Sequence, residues 1–181
     1  KFSMRFLLSE WDDIIDAWQL KTLQEYLDVA RLGRRTRLPE AQRKVLWSIF
    51  EPVIAELKSQ GLITRSAMFT ELAETIKNRT NKPFDHIVVD EAQDMGIAHM
   101  RFFAAMAGGK PNGLFFAGDI GQRIFQQPFS WLALGVDIRG RARTLKVNYR
   151  TSHQIRSQAD CLLDPELVDI DGNSEARSGT V

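Results

Sequence analysis

The fold is decided by a short stretch at residues 86–96, which reads HIVVDEAQDMG. Its apolar start, rich in β-branched residues, is typical of a strand buried on both faces of a parallel sheet. A run of carboxylate and amide side chains follows immediately, where the strand should end. In open parallel sheets, ligands bind beyond the carboxyl ends of the strands. The stretch therefore predicts a polar site at a strand end, made of Asp90, Glu91, Gln93 and Asp94.

Beyond this stretch, the chain continues as alternating strands and helices. GLFFAGD (113–119) predicts a second buried strand, and AHMRFFAAMAGG (98–109) predicts the helix between the two, ended by its glycines. TLKVNYR (144–150) is a third strand candidate, followed by a helix from about Ser152. Because parallel strands end at the same edge of a sheet, their polar ends should face one crevice. That edge would add Asp119, Gln122 and Arg150 to the first cluster.

Before this stretch, the chain has the apolar spacing of helices. One buried face is predicted at positions spaced i, i+3, i+4 and i+7. This face consists of Trp11, Ile14, Ile15 and Trp18.

Two more helices are predicted before residue 80. The longer one begins near Pro39 and ends before Gly61, and Pro52 should bend it or divide it in two. The other extends from about Ser66 to Lys77. We therefore expect an all-helical subdomain (1–80), part of an α/β domain with a parallel sheet (81–160) and a turn-rich tail (161–181).

Composition indicates a soluble protein with locally concentrated positive charge. A net charge of +1 conceals two basic segments, at 31–44 and 139–146. Such segments suit phosphate or nucleic acid, although a solvated face is the commoner explanation for any one of them. A single cysteine and the lack of an apolar run of about 20 residues predict a cytoplasmic protein without membrane contact. The histidines, for which we expect structural roles because they lack metal-ligand spacing, are His86, His99 and His153.

The paired carboxylates have two interpretations. An Asp-Glu pair alone is most often a loop with a helix cap. A carboxylate just past a buried strand is also placed to hold Mg²⁺, and a second can orient a nucleophilic water. The adjacent Gln93 and Asp94, together with two further polar strand ends, favour the metal and phosphate interpretation.

Three motifs in this region resemble those of superfamily 1 helicases of the UvrD/Rep type. VVDEAQD (88–94) resembles their Walker B motif, AGDIGQRIF (117–125) their third motif and LKVNYRTS (145–152) their fourth. One such motif would be weak, but three in the family's order are highly specific. The resemblance implies a partial RecA-like P-loop NTPase domain preceded by a helical subdomain, and a parent that is an ATP-dependent DNA helicase.

The resemblance implies roles for the first cluster. Asp90 would hold the Mg²⁺ of ATP, and Glu91 would act as base or orienter for the attacking water. Asp119 would help to hold the metal-site network. Gln93 and Asp94 would couple the nucleotide site to neighbouring motifs.

It also implies roles for residues of the later motifs. Gln122 would sense the γ-phosphate, Arg150 would reach the same phosphate and Tyr149 would stack on the base of the nucleotide. An amide and a planar guanidinium are suited to these tasks, since both present donors to phosphate oxygens.

Aromatic residues after the third motif stack on single-stranded DNA in the family. Phe125 matches the usual position, but the following QQPFSW (126–131) departs from the family pattern. Phe129 and Trp131 could supply the stacking, or they could equally belong to the core. In the first basic segment, the resemblance makes Arg34, Arg35 and Arg37 candidates for phosphate contacts, with a solvated loop as the alternative.

The sequence contains no GxxxxGK[ST] loop, which a working ATPase of this kind needs to cradle phosphates. The nearest string, AGGKPNG (107–113), indicates a helix end and a turn instead. Two explanations are open: an excised piece of a longer helicase, which the intact motifs favour, or a degenerate helicase-like protein. We expect the chain alone to bind ATP poorly and to hydrolyse none. The alternative function is a nucleic-acid- or protein-binding module without a motor. For the helicase interpretation, we expect a monomer that acts on single-stranded DNA with ATP and Mg²⁺.

Overall fold

The computed structural model describes residues 2–32, 34, 37–119, 129–162, 166–172 and 174–176. Helices dominate the described residues, and the strands are short. The helices are α1 (Met4–Glu10), α2 (Leu23–Asp28), α3 (Glu40–Ser59), α4 (Arg65–Lys77), α5 (Ile97–Ala107) and α6 (His153–Asp160). The strands are β1 (Ile87–Val89), β2 (Leu114–Phe116), β3 (Glu166–Val168) and β4 (Ser174–Ala176). A π-helix spans Trp11–Asp16, and single 3₁₀ turns lie at Ala92–Asp94 and Leu132–Leu134.

The helices before residue 80 enclose a core of their own. The predicted face of the first helix is buried at Ile14 and Ile15, each 2% exposed, but there the backbone is a π-helix that continues α1. The wider turn allows these two neighbouring side chains to point into one core. This core, the N-terminal core, consists of Ile14, Ile15, Tyr26, Leu38, Leu46, Trp47 and Phe50.

A buried carboxylate ties α1 to the first basic segment. Glu10 is fully buried and accepts hydrogen bonds from Tyr26 Oη at 2.8 Å and from Arg31 Nε at 2.8 Å. Arg34 Nη2 lies 3.0 Å from Glu10 Oε2, and Arg34 Nη1 lies 2.8 Å from Asp13 Oδ2. Burial opposes ionisation of Glu10, but the hydrogen bonds and the two arginine charges outweigh it and lower its pKa. The suggestion that Arg34 meets nucleic-acid phosphates is therefore wrong in this structure, because its guanidinium is already bound.

Helix α3 confirms the predicted start near Pro39 and the end before Gly61. Pro52 lies inside it, yet the helix is a single element, so of the two predicted effects, a bend or a division, the division does not occur. Pro52 is on the exposed side, where the carbonyl that loses its partner can be hydrated.

Helix α4 joins the helical part to the α/β part by packing on α5. The Phe69 ring lies 4.3 Å from the His99 ring and 5.4 Å from the Phe102 ring. Burial, helped by the charge of Arg65, lowers the pKa of His99, whose Nδ1 accepts the Gly96 N–H at 3.3 Å. That hydrogen bond caps the start of α5. His99 thus has the structural role expected for it.

Strands β1 and β2 form a parallel pair, as predicted, with Val89 opposite Phe116. Only one face of the pair is buried, however. Val88 and Phe115 on the other face are 72% and 63% exposed, so the prediction of burial on both faces is wrong. Among the described residues, α5 and the turn at Leu132–Leu134 pack together and cover one face only. The second core, the sheet core, contains Val89, Ala92, Ile97, Met100, Phe129, Trp131, Leu134 and Val136.

The predicted third strand at 144–150 is absent. These residues have no regular secondary structure, and Leu145 and Tyr149 are 89% and 94% exposed. A strand needs a hydrogen-bonded neighbour, and the sheet of the described residues pairs β1 with β2 only. This run has the alternating apolar pattern of a strand, but among the described residues it has no strand to pair with and does not form one.

The last part of the chain is more ordered than predicted. Ser152 caps α6, which confirms the helix expected there. In the tail, β3 and β4 form an antiparallel hairpin. Asp171 in its turn accepts hydrogen bonds from Ser130 Oγ at 2.5 Å and Leu132 N at 3.1 Å, which ties the hairpin to the sheet core. No helix in the described part of the chain has the length and apolar character needed to cross a membrane.

Candidate functional site

The two strand ends remain in contact beyond the strands. Ala117 N donates to Val89 O at 2.9 Å, and Ala92 N donates to Ala117 O at 2.9 Å. These hydrogen bonds extend the parallel pairing beyond both strands. They hold the turn at Ala92–Asp94, which follows β1, beside the segment that connects β2 to Asp119. The polar residues after the two strands therefore lie at one edge of the sheet, as the sequence predicts.

Gln93 connects these two segments through its side chain. It is 6% exposed, and its Nε2 donates to Glu91 Oε2 at 2.6 Å. Its Oε1 accepts the backbone N–H of Asp119 at 3.1 Å. One amide thus fixes a carboxylate of the first segment against the backbone of the second, and we call this contact the Gln93 bridge.

Glu91 has an unusual backbone conformation. Its φ of 51° and ψ of 42° are left-handed, which costs a residue with a side chain about 1 kcal/mol. Its N–H donates to Asp90 Oδ1 at 3.0 Å, and both carboxyl groups are exposed. Strained backbone of this kind is concentrated at functional sites. The turn presents two carboxylates to solvent beyond β1 and holds one of them through Gln93.

Gly118 allows the two segments to approach each other. A Cβ at this position would lie 2.5 Å from Gln93 Oε1 and 3.1 Å from Ala92 N. A side chain there would force Gln93 or the neighbouring backbone to move. No role was predicted for Gly118, although its position after a strand and before Asp119 is a signal of close backbone approach.

For the candidate residues of the later motifs other than Asp119, the structure shows no contact with this edge among those that it describes. Gln122 and Phe125 lie outside the described residues. Arg150 and Tyr149 are exposed, in a turn in which Asn148 Oδ1 accepts the Arg150 N–H at 2.9 Å. Within the described part of the chain, no hydrogen bond or ion pair joins Arg150 to Asp90 or Glu91.

Phe129 and Trp131 belong to the sheet core. They are 1% and 8% exposed, and their ring centroids lie 5.7 Å apart. The Trp131 ring also packs edge-on against Phe116 at 5.2 Å. Of the two roles left open for these rings, their burial favours the core, because neither presents a free face to a ligand.

The donor set at the strand ends fits Mg²⁺ that arrives with phosphates. Mg²⁺ takes one or two carboxylates and completes its shell with water and phosphate oxygens. Asp90 and Glu91 provide exposed carboxylates, and among the described residues no three acidic, histidine or cysteine side chains converge into a closed cage. The edge can thus supply part of a metal shell, while the phosphate cradle is not encoded in these 181 residues.

A parallel strand pair with a covering helix, and with carboxylates beyond its strands, defines an α/β protein with a candidate ligand site at the sheet edge. The sequence model of the UvrD/REP helicase N-terminal domain matches residues 14–128, which is more than half of the chain. The chain belongs to this family, as its motifs predicted. No curated protein and no solved structure gave a match.

Replacing Gly118 by Ala tests the close approach at the Gln93 bridge. The added methyl group must displace Gln93 or separate the two segments, so we expect the free energy of unfolding to fall by about 1–3 kcal/mol. Urea denaturation of the 181-residue chain measures this. In a Gln93→Ala background the collision with Oε1 is gone, and the cost of Gly118→Ala should be smaller. Equal costs in both backgrounds would contradict the bridge.

Proposed function

We propose that this chain is part of the motor of an ATP-dependent DNA helicase that moves on single-stranded DNA and unwinds duplexes. The observation that carries the proposal is the Gln93 bridge. It joins the carboxylate expected to direct the attacking water to the segment that leads into the third motif. A motor needs such a connection, since the state of the nucleotide must be transmitted to the parts that bind DNA.

At this site the residues divide the work between them. Asp90, directly after β1, would hold the Mg²⁺ directly or through water. Glu91 would accept the proton of the attacking water, and Gln93 keeps its carboxylate in one orientation. Asp94 and Asp119 would support the same edge. When bound, ATP would supply the phosphoryl group that is transferred, and Mg²⁺ would neutralise negative charge on its phosphate oxygens.

The remaining nucleotide contacts would come from residues of the later motifs. We propose that Gln122 senses the γ-phosphate, that Arg150 stabilises charge on it and that Tyr149 stacks on the base. Arg150 and Tyr149 are both exposed, so their side chains are free to meet a ligand. Phe125 is the aromatic residue that we retain as a DNA contact, since Phe129 and Trp131 are in the core. The partial RecA-like character of residues 81–160 and the boundary at residue 80 are part of the same proposal.

A second candidate is a nucleic-acid- or protein-binding module without motor activity. The observation that favours it is the lack of a GxxxxGK[ST] loop in the 181 residues. Without backbone donors and a lysine for the phosphates, ATP would bind weakly.

ATP turnover in the presence of single-stranded DNA separates the two candidates. We expect the complete polypeptide encoded by the open reading frame to hydrolyse ATP in a manner stimulated by DNA. The 181-residue chain by itself should hydrolyse none, because it lacks the phosphate loop. Turnover by the chain alone that disappears in Glu91→Gln would contradict the second expectation, and a complete polypeptide without DNA-stimulated turnover would favour the binding module.

A further inference from the structure

A region without acidic residues follows the sheet core. Residues 138–159, which we call the basic segment, contain six arginine and lysine residues and no aspartate or glutamate. The nearest carboxylates on either side are Asp137 and Asp160. The charge of this segment is therefore concentrated within the chain, although the net charge of the whole protein is only +1.

Both flanking carboxylates are already paired. Arg139 Nη2 lies 2.8 Å from Asp137 Oδ2, and Arg156 Nε lies 2.9 Å from Asp160 Oδ2. The hydrogen bond from the Arg139 side chain, with a smaller contribution from the charge of Arg141, lowers the pKa of Asp137 to about 2. These pairs neutralise the outermost cations, whereas the inner ones form no ion pair with a carboxylate of the described residues.

The inner cations are exposed. Arg141, Arg143 and Lys146 form no ion pair with any residue that the structure describes, and residues 142–148 have no regular secondary structure. Three like charges within six residues repel one another, and this repulsion is relieved when an anion lies among them. Their long side chains are free to reach it.

The earlier basic segment, 31–44, is similar in composition but different in structure. There, Arg31 and Arg34 bind the buried Glu10, and Arg43 donates to the Tyr26 and Leu27 carbonyl oxygens at 2.9 and 2.8 Å. Those cations stabilise the helical part of the fold. Positive charge alone therefore does not identify a binding surface. The cations must also be exposed and not already paired within the fold.

We propose that Arg141, Arg143 and Lys146 bind the phosphate backbone of single-stranded DNA, as a contact separate from the nucleotide site. Guanidinium groups match phosphate oxygens with two parallel hydrogen bonds, and a contact to the backbone requires no particular base. The chain's membership of the UvrD/REP helicase family favours a nucleic acid over an acidic peptide as the polyanion. The choice of DNA rests on the proposed function, whereas the location of the contact rests on the charges and pairings above.

The test measures binding of fluorescein-labelled oligothymidine to the 181-residue chain by anisotropy, without nucleotide, over a range of salt concentrations. The variant is Arg141→Gln/Arg143→Gln/Lys146→Gln, which removes three charges at exposed positions that form no ion pair in the described part of the chain. Each phosphate contact adds about 0.7 to the salt dependence for single strands, so the slope of log K against log salt should decrease by about 2. Between about 50 and 200 mM salt, the original chain should lose roughly 20-fold more affinity than the variant.

The matched control removes three charges elsewhere. Lys21→Gln/Lys58→Gln/Lys77→Gln changes the net charge equally at three exposed positions, and its slope should stay close to that of the original chain. An unchanged slope in the first variant, an equal decrease in the control, or no DNA binding by the chain would each overturn the proposal. Tighter binding of polyglutamate than of oligothymidine would assign the segment to an acidic protein and overturn it as well. If these cations bind DNA but ATP turnover of the complete polypeptide is insensitive to Glu91→Gln, the contact stands and the proposed motor does not.

Discussion

ATP turnover by the complete polypeptide should fall by at least about 100-fold when Glu91 is replaced by Gln, because general-base catalysis contributes roughly 10²–10⁴ to the rate. The amide of glutamine has the shape of the carboxylate and can still accept the hydrogen bond from Gln93. It cannot take a proton from water. Nucleotide binding should therefore persist while hydrolysis is lost, and fluorescence titration with a labelled ATP analogue measures the first separately from the second.

A matched control for this change is Glu71→Gln. Glu71 is an exposed residue of α4, so removing its charge should leave turnover unchanged. Full turnover in Glu91→Gln would contradict the assigned role. Loss of nucleotide binding together with turnover would also contradict it, since the site would then need the charge of Glu91 to hold the ligand.

The free energy of unfolding should fall by about 3–5 kcal/mol when Glu10 is replaced by Gln, because two arginines then lose the charge that compensates their burial. The side chains of Arg31 and Arg34 are 6% and 11% exposed, so water reaches neither well. Since the fold lowers the pKa of Glu10, its contribution is complete above the ordinary value of 4.5 and is lost as the pH falls toward the lowered pKa. Urea denaturation of the 181-residue chain at neutral and acidic pH measures both effects.

Glu40→Gln is the control for Glu10→Gln. Glu40 forms an exposed pair with Lys44 at 2.6 Å, and such pairs contribute little because water screens them. We expect almost no change in its unfolding midpoint. A similar small change in Glu10→Gln would show that the buried cluster does not hold α1 against the first basic segment, residues 31–44.

Local chemistry explains which elements were predictable from sequence. Helix α5 ends where its glycines indicated, with Gly108 in the left-handed conformation at φ 59°. Helix α6 begins after Ser152, whose hydroxyl accepts the Ile155 N–H. These ends depend on residues only a few positions apart. The polar cluster after β1 was predictable for the same reason, because its carboxylate and amide residues directly follow a run of β-branched residues in the sequence.

Features that depend on distant partners were not predictable. Glu10 is buried because Tyr26, Arg31 and Arg34 reach it from 16 to 24 positions further along the chain, and an isolated glutamate gives no sign of this. The run at 144–150 has the alternation of a strand but no neighbouring strand.

From sequence alone, an aromatic residue that packs in the core cannot be distinguished from one that binds a ligand. Phe129 and Trp131 follow the run that resembles the family's third motif and were candidates for stacking on that ground. Contacts with Phe116 and with each other place them in the core instead. Gly118 was overlooked for a related reason, since its importance lies in the atoms of Ala92 and Gln93 that approach it from another segment.

We propose one arrangement at the sheet edge, in which the carboxylates beyond β1 and β2 face the metal and phosphates of one bound nucleotide. It is tested most directly by a crystal structure of the complete polypeptide with Mn²⁺ and a non-hydrolysable ATP analogue, in which anomalous scattering locates the metal. We predict the metal beside Asp90, bound directly or through one water, with the terminal phosphate facing Glu91. A nucleotide bound elsewhere, with its metal remote from both carboxylates, would contradict the account.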